Sequence, residues 1–254
     1  MKRHSLAAAA LMLGLALEIS PVTDLQAAEL RILAGGSLIG PLNELAPQFE
    51  KVSGHTLVIH FDSTPNLIKQ ATSGAPFDAA VVPVDVFKDA AAKARFVSGP
   101  TIDIARAGYG VIVRSGAPRP DVGTPEALKK TLLDAPSIAF VPESAAGAYV
   151  LKVFDRLGIA EAMKAKTMAQ TMPAQIAPAV ARGEAALGVF LMNVLIAPGV
   201  DLAGAFPAEL QQELVFSAAV AADSKQAEAA AAFVRFLITP AAAAVIKANG
   251  MTPG

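Results

Sequence analysis

The sequence has no cysteine and no tryptophan, and it has only two tyrosines and three histidines among 254 residues. Without cysteine, disulfides, thiolate metal sites and thiol nucleophiles are excluded. His4 lies near the N-terminus, and His55 and His60 have no partner at a metal-binding spacing. Charged residues make up 17% and the net charge is −1, so there is no electrostatic basis for binding nucleic acid or an anionic membrane. We therefore expect no bound metal, no cofactor and no nucleic-acid partner.

Residues 1–27 have the composition of an export signal. Lys2 and Arg3 precede an apolar block from Ala7 to Leu17, and small residues follow near Ala27. The block is too short to cross a bilayer, and no later stretch is long and apolar enough to do so. A retained lipid anchor needs a cysteine, which this chain lacks. We expect a mature protein that is free in a bacterial periplasm and monomeric.

Strand-like and helix-like segments alternate along the rest of the chain. This alternation is typical of α/β proteins in which helices cover both faces of a mostly parallel sheet. The predicted strands are LRILA, LVIHF, DAAVVP, YGVIVR, SIAFV, ALGVF and LVFSAAVA. The predicted helices are Leu38 to Val52, Pro65 to Ser73, Thr124 to Leu133, Ala145 to Leu157, Gln175 to Arg182 and Lys225 to Leu237.

Two segments have the composition expected of crossings between two lobes. The strand-like YGVIVR leads into a Pro- and Gly-rich loop at residues 115–120, and short loops precede the final strand. With both as crossings, the first lobe comprises residues 28–107 and 202–254, and the second comprises residues 108–201. Two lobes that are joined in this way close on a ligand by a hinge motion. We predict a two-lobed α/β fold with a mixed, mostly parallel sheet in each lobe, flanked by helices.

Three of the predicted strands stop at small hydroxyl residues just before a helix. The loops are AGGSLIG, DSTPNL and PESAAGAY, which contain Ser37, Ser63, Thr64 and Ser144. The N–H groups at a helix N-terminus lack partners within the helix and carry a partial positive charge, so they attract anions. Gly36 lets a ligand approach the backbone closely, and none of the three loops contains Lys or Arg. Each loop alone is also explained by ordinary helix capping.

The order of these motifs resembles the periplasmic molybdate-binding proteins of ABC importers, which are type II periplasmic solute-binding proteins. The resemblance covers AGGSLIGPLNELAPQFEKVSG, FDSTPNLIKQATSGAPFDAAVVPVD, VPESAAGAYVLKVFDRLG, VARGEAALGVF and FVRFLITPAAAAVIKANG. It implies a protein that captures a small oxyanion, molybdate or tungstate, between its lobes and delivers it to an ABC permease in the inner membrane. It also implies that the protein catalyses no reaction.

The resemblance implies specific donors to the ligand. These are the hydroxyls of Ser37 and Ser63 from the first lobe and the N–H of Ala146 from the second. Family members usually add another backbone N–H and a tyrosine hydroxyl, but here Pro173 and Leu191 occupy those positions. Neither can donate a hydrogen bond. Each lost bond to a charged group costs about 1.5–3 kcal/mol, so the sequence predicts either weaker binding or a different ligand.

Neighbouring side chains are candidates to replace the two lost donors. They are Thr64, Ser144, Tyr149, Gln175 and Asn193. Alternatively, the second lobe is adapted to a small organic acid, and Arg106 at the first crossing pairs with its carboxylate.

An exported hydrolase with Ser37 or Ser144 as its nucleophile is the alternative from a different class. It requires a histidine within hydrogen-bond reach of the serine. The sequence places neither His55 nor His60 beside either serine.

Overall fold

The computed structural model describes residues 27–254, and the predicted export signal falls almost entirely outside this part. The strands are β1 (Glu29–Gly35), β2 (Thr56–Asp62), β3 (Ala79–Pro83), β4 (Ile102–Ala107), β5 (Tyr109–Arg114), β6 (Ile138–Phe140), β7 (Thr167–Ala169), β8 (Leu187–Leu191), β9 (Val200–Ala205), β10 (Leu214–Val220) and β11 (Thr252–Pro253).

The α-helices lie between these strands and after them. They are α1 (Ile39–Ser53), α2 (Thr64–Thr72), α3 (Ala90–Lys93), α4 (Pro125–Asp134), α5 (Ala145–Arg156), α6 (Ala160–Lys164), α7 (Ile176–Ala181), α8 (Met192–Leu195), α9 (Ala227–Phe236) and α10 (Pro240–Ala248). Short 3-10 turns at Gly36–Leu38 and Pro173–Gln175 precede α1 and α7.

The strands form two mixed sheets, and each sheet with its flanking helices is one lobe. The first sheet has six strands in the order β11-β4-β10-β3-β1-β2, and the second has five in the order β7-β6-β8-β5-β9. β1 is parallel to β2 and β3, and β6 is parallel to β7 and β8. The other pairs are antiparallel: β10 with β3 and β4, β11 with β4, and β5 with β8 and β9. The predicted α/β class and mixed sheets are confirmed, although parallel pairing occupies only one side of each sheet.

The chain crosses between the lobes twice. It passes from β4 to β5 at Gly108, and it returns after β9. The boundary that we expected at residue 202 falls inside β9, all of which belongs to the second sheet because it pairs with β5. The Gln211 side chain joins the two crossings, since it accepts a hydrogen bond from the Tyr109 N–H at 2.8 Å and donates one to the Tyr109 carbonyl at 2.9 Å.

Helices cover both faces of the first sheet. Leu30 and Ile32 on β1 belong to the large core cluster that also contains Phe49 of α1, whereas Leu33 belongs to a smaller cluster with Leu67 of α2. Side chains alternate between the two faces of a strand, so β1 contributes to both clusters. In the described part of the chain no single helix is long and apolar enough to span a membrane; α9 and α10 together reach that length and composition, but they bend by 61° at their junction.

The seven predicted strands are all present, and the six predicted helices lie within a few residues of their expected bounds. The strands that sequence patterns missed are β4, β7, β9 and β11. Among them β7 and β11 have only three and two residues. Strands this short give too few residues for an alternating pattern to be recognised.

Gly147, in the first turn of α5, sets how closely this helix approaches the end of β6. A Cβ atom at this position would lie 1.8 Å from the Val141 carbonyl oxygen. We expect Gly147→Ala to lower the free energy of unfolding by about 3 kcal/mol, because backbone must move to relieve the clash. Ala148→Ser, on the exposed side of the same turn, is the control, with an expected change below about 0.5 kcal/mol. Denaturant unfolding of the two variants tests this, and equal midpoints would contradict it.

Candidate functional site

The first lobe brings Ser37 and Ser63 together through the pairing of β1 with β2. These strands are parallel, and their register places Gly35 opposite Asp62. Both chains therefore leave the sheet at the same edge, one into the 3-10 turn that contains Ser37 and the other into α2. This is the carboxyl edge of the strands, where ligands bind in open α/β sheets.

The second lobe presents a matching edge. β6 and β7 are parallel, with Phe140 opposite Ala169, and they lead to the start of α5 and to the 3-10 turn at Pro173. Ser144 caps α5, since its hydroxyl accepts a hydrogen bond from the Gly147 N–H at 3.0 Å. The helix has 12 residues, so its N-terminus carries a developed partial positive charge.

These two edges meet at a small cavity between the lobes. All the site residues predicted from the sequence line it: Gly36, Ser37, Ser63, Thr64, Ser144 and Ala146. Its volume is about 20 Å³. A single water molecule needs roughly 10–15 Å³ of such space, so the cavity in this closed arrangement has room for about one group of that size.

Three hydrogen-bond donors of this cavity belong to groups that have no hydrogen-bond partner in the described part of the chain. Ser63 is the N-cap residue of α2, yet its hydroxyl makes no capping bond, and neither it nor the Ser37 hydroxyl has a partner within residues 27–254. The N–H of Ala146 is in the first turn of α5, where no acceptor exists within the helix. Both serines are 9% exposed, so water has little access to them. Their ligand-binding role stays a prediction, but their convergence is a feature of the structure.

Two other hydroxyls that line the cavity already have partners. The Ser144 hydroxyl donates to the Val141 carbonyl at 2.8 Å, so its single proton is not available to an anion, contrary to our expectation of a donor there. The Thr64 hydroxyl oxygen accepts a hydrogen bond from the Ala145 N–H at 3.1 Å, which joins the two lobes. The proton of Thr64 remains available for donation, because a hydroxyl donates and accepts at once.

The two departures from the family pattern have different positions. Pro173 lines the cavity, and its ring contributes no N–H at that wall. Leu191 is fully buried at the end of β8, opposite Tyr109 of β5, and does not line the cavity. The second lobe therefore gives this cavity fewer donors than the first.

The side chains proposed to replace the lost donors are occupied elsewhere. The Tyr149 hydroxyl donates to the Leu210 carbonyl at 2.8 Å. The Gln175 side chain accepts hydrogen bonds from the Met172 N–H and from Thr171. None of these residues lines the cavity.

Asn193 also lies outside the cavity, but it acts on it. Its side-chain amide donates to the Ser37 carbonyl at 2.7 Å, from the second lobe to the first. A Cβ atom on Gly36 would lie 3.1 Å from both Met172 and Pro173, so the absence of a side chain there permits the close contact between lobes. Sequence patterns gave no sign of the Asn193 contact, because it joins residues 156 positions apart.

Asp62 lines the cavity, but its carboxylate is bonded to groups outside it. It accepts hydrogen bonds from the Ser63 N–H at 2.7 Å, from Asn66 at 2.8 Å and from Gln70 at 2.9 Å. Burial opposes ionisation, but the hydrogen bonds from Asn66 and Ser63 and the adjacent His60 outweigh it, so the pKa of Asp62 lies below its usual value. The charge of Asp62 is thus satisfied by local partners beside the site.

Neither Arg106 nor a histidine, the side chains that we assigned to the alternative functions, lines this cavity. Arg106 pairs with Asp103 at 3.3 Å and lines none of the interlobe space, so it is not the carboxylate partner that we considered. His55 accepts a hydrogen bond from the Ala28 N–H, and His60 contacts Gln70. Neither histidine lines the cavity.

This chain is similar to known proteins over most of its length. The model of the bacterial extracellular solute-binding protein family matches residues 30–252. This chain belongs to that family. The resemblance to molybdate-binding proteins is also confirmed: the molybdate-binding protein ModA of Azotobacter vinelandii is 30% identical over 89% of this chain and 90% of its own length.

Two further similarities bear on fold and ligand. The solved periplasmic molybdate-binding protein of Azotobacter vinelandii superimposes with a TM-score of 0.74 at 22% identity, over 88% of this chain and 98% of that one, which shows the type II periplasmic binding protein fold. A protein named aconitate isomerase, from a Pseudomonas species, is 32% identical over 93% of this chain and 90% of its own length. The relatives of this chain therefore differ in the ligands that their names describe.

Thr64→Val tests the hydrogen bond that joins the lobes. The variant leaves the Ala145 N–H without an acceptor when the lobes are closed, at a cost of about 1–3 kcal/mol. We expect a larger radius of gyration without ligand, measured by small-angle X-ray scattering, and weaker ligand binding. Thr72→Val is the matched control, because that hydroxyl donates to the Ile68 carbonyl within the same helix and is exposed. Indistinguishable scattering from the two variants would contradict this role.

Proposed function

We propose that this protein captures a small oxyanion in the interlobe cavity and delivers it to an ABC permease from the periplasm. The observation that carries the proposal is the convergence of two buried, unpartnered serine hydroxyls, Ser37 and Ser63, with the free N–H of Ala146 from the opposite lobe. Molybdate or tungstate is the first ligand that we assign to the cavity. The relation to ModA supports both the transport role and this ligand class.

The chemistry of the cavity suits a fully ionised anion. Its available donors are hydroxyl and peptide groups, and no Lys or Arg is among its lining residues. The carboxylate of Asp62, which also lines it, is bonded to Ser63, Asn66 and Gln70. A protonated anion is itself a hydrogen-bond donor, and the groups that it would face here are donors too. Either its proton or one of those donors would therefore be left unpaired. Because buried unpaired donors are costly, the site favours ions that accept at every oxygen.

A small organic acid is the second candidate ligand. Pro173 and Leu191 remove two donors that a tetrahedral ion would use, while a carboxylate has only two oxygens to satisfy. The relation to the protein named aconitate isomerase supports an organic acid independently. Both candidates place one anionic group against Ser37, Ser63 and Ala146.

We propose binding without catalysis. A serine nucleophile needs a base, and the Ser144 proton goes to a carbonyl while neither histidine of the described part lines the cavity. Asp62, the carboxylate beside the cavity, already accepts three hydrogen bonds. Incubation with cis-aconitate, followed by proton NMR, is expected to yield no trans isomer, and steady formation of that isomer would overturn this part of the proposal.

Isothermal titration calorimetry of ligand-stripped protein tests the proposed capture. Ser37→Ala and Ser63→Ala are each expected to weaken binding of molybdate by roughly 10- to 150-fold, which corresponds to about 1.5–3 kcal/mol for one hydrogen bond to a charged group. Both hydroxyls lack protein partners, so we expect little change in the unfolding midpoint.

Ser73→Ala is the control for these variants. Its hydroxyl bonds the Gln70 carbonyl at the exposed end of α2, away from the cavity. Unchanged affinity in the Ser37→Ala, Ser63→Ala double variant would show that the anion binds elsewhere. A panel of molybdate, tungstate, sulfate and several carboxylates distinguishes the two candidate ligands.

A further inference from the structure

A second, larger space adjoins the cavity between the lobes. We call it the outer cleft; its volume is about 480 Å³, and it shares Thr64, Ser144 and Leu214 with the cavity. Ordinary small-molecule sites have volumes of roughly 300–1,000 Å³, so the outer cleft has room for an organic ligand. A molybdate ion confined to the cavity would leave it unused.

Tyr109 is the buried polar side chain of the outer cleft. The residue is 1% exposed, it lines the cleft, and its hydroxyl makes no hydrogen bond within residues 27–254. The neighbouring Tyr149 differs, because its hydroxyl donates to the Leu210 carbonyl. The Tyr109 hydroxyl is not among the fully buried polar atoms without a partner, so the cleft reaches it and it is free to donate to a ligand there.

The position of Tyr109 is fixed on several sides. Its ring lies 4.9 Å from the Tyr149 ring and 5.7 Å from the Phe206 ring, and Gln211 holds both of its backbone groups. Burial, and then the nearby Tyr149 and Asp85, raise the pKa of Tyr109, so the phenol keeps its proton and remains a donor. A donor that is held this firmly binds a ligand at little entropic cost.

The charges of the outer cleft limit the class of ligand. Lys88 is paired with Asp85 at 2.9 Å, and Glu143 and Glu213 also line the cleft. Lys152 lines it as well and has no ion-pair partner in the described part of the chain. Two cations against three carboxylates give no net attraction for a second anionic group, so its recognition depends on single donors such as the Tyr109 hydroxyl. They suit a ligand with one strong anionic end and one further acceptor.

We propose that the ligand site extends into the outer cleft, and that it takes an organic acid whose carboxylate enters the cavity while a second acceptor group binds the Tyr109 hydroxyl. The second group is a hydroxyl, a carbonyl or another carboxyl. This inference rests on the proposed capture of an anion by Ser37, Ser63 and Ala146. It adds the length and the second recognition group of the ligand.

Tyr109→Phe tests this extension, because it removes only the hydroxyl and retains the ring. By calorimetry with trans-aconitate, succinate and malate, we expect micromolar binding of at least one to the unaltered protein and a loss of about tenfold in the variant. Acetate and molybdate, which the proposal confines to the cavity that Tyr109 does not line, serve as ligand controls and should bind the two proteins equally. The unfolding midpoints of both proteins confirm that the variant is folded.

The outcomes separate this inference from the proposed function. Molybdate binding with no binding of any of the three longer acids would overturn the inference and retain anion capture. An equal loss for molybdate and the longer acids in Tyr109→Phe would also overturn it, since the effect would not depend on ligand length. Failure of Ser37→Ala, Ser63→Ala to weaken any ligand would instead overturn the capture on which both proposals rest.

Discussion

An anion that is buried between two lobes must exchange its hydration shell for hydrogen bonds, and this cavity can supply them only from neutral groups. A donor that the anion fails to use, or an anion oxygen without a donor, costs as much as the bond it lacks. At the proposed site, the positions of the opposing strand ends therefore determine which anion binds. Ser37 and Ser63 are fixed by the β1–β2 register, and Ala146 is fixed by the close fit of Gly147 under Val141.

Because the strand edges of the two lobes face each other, closing the lobes is part of how the proposed site recognises its ligand. Hydrogen bonds from Asn193 to the Ser37 carbonyl and from the Ala145 N–H to Thr64 hold the lobes together beside the cavity. They satisfy the Ser37 carbonyl and the Ala145 N–H, which would otherwise remain unpaired. A ligand then adds its own contacts to a closed form that these hydrogen bonds already stabilise. The hydrogen bonds and the ligand therefore shift the same equilibrium, between open and closed lobes.

Much of this fold was predictable, because the strong signals were local. Apolar, β-branched segments gave seven of the strands. The hydroxyl residues that follow three of them, together with the resemblance for Ala146, gave the residues that meet at the cavity. The boundary at residue 202 was wrong because β9 takes its identity from pairing with β5, which its own sequence does not reveal. The roles of Asn193, Ser144 and Tyr109 were missed for a related reason. Each role depends on whether the folded chain places a carbonyl within hydrogen-bond distance of the side chain.

The pairing of β5 with β8 links the missing donor to the outer cleft. Tyr109 and Leu191 are directly opposite in this antiparallel pair, so their side chains share one face of the sheet. In the family pattern a tyrosine stands at the β8 position. Here that position is Leu191. The paired position on β5 is Tyr109, which lies one strand spacing, about 4.8 Å, across the sheet. Tyr109 lines the outer cleft and not the cavity, so under our proposal it meets a longer acid and not a compact ion.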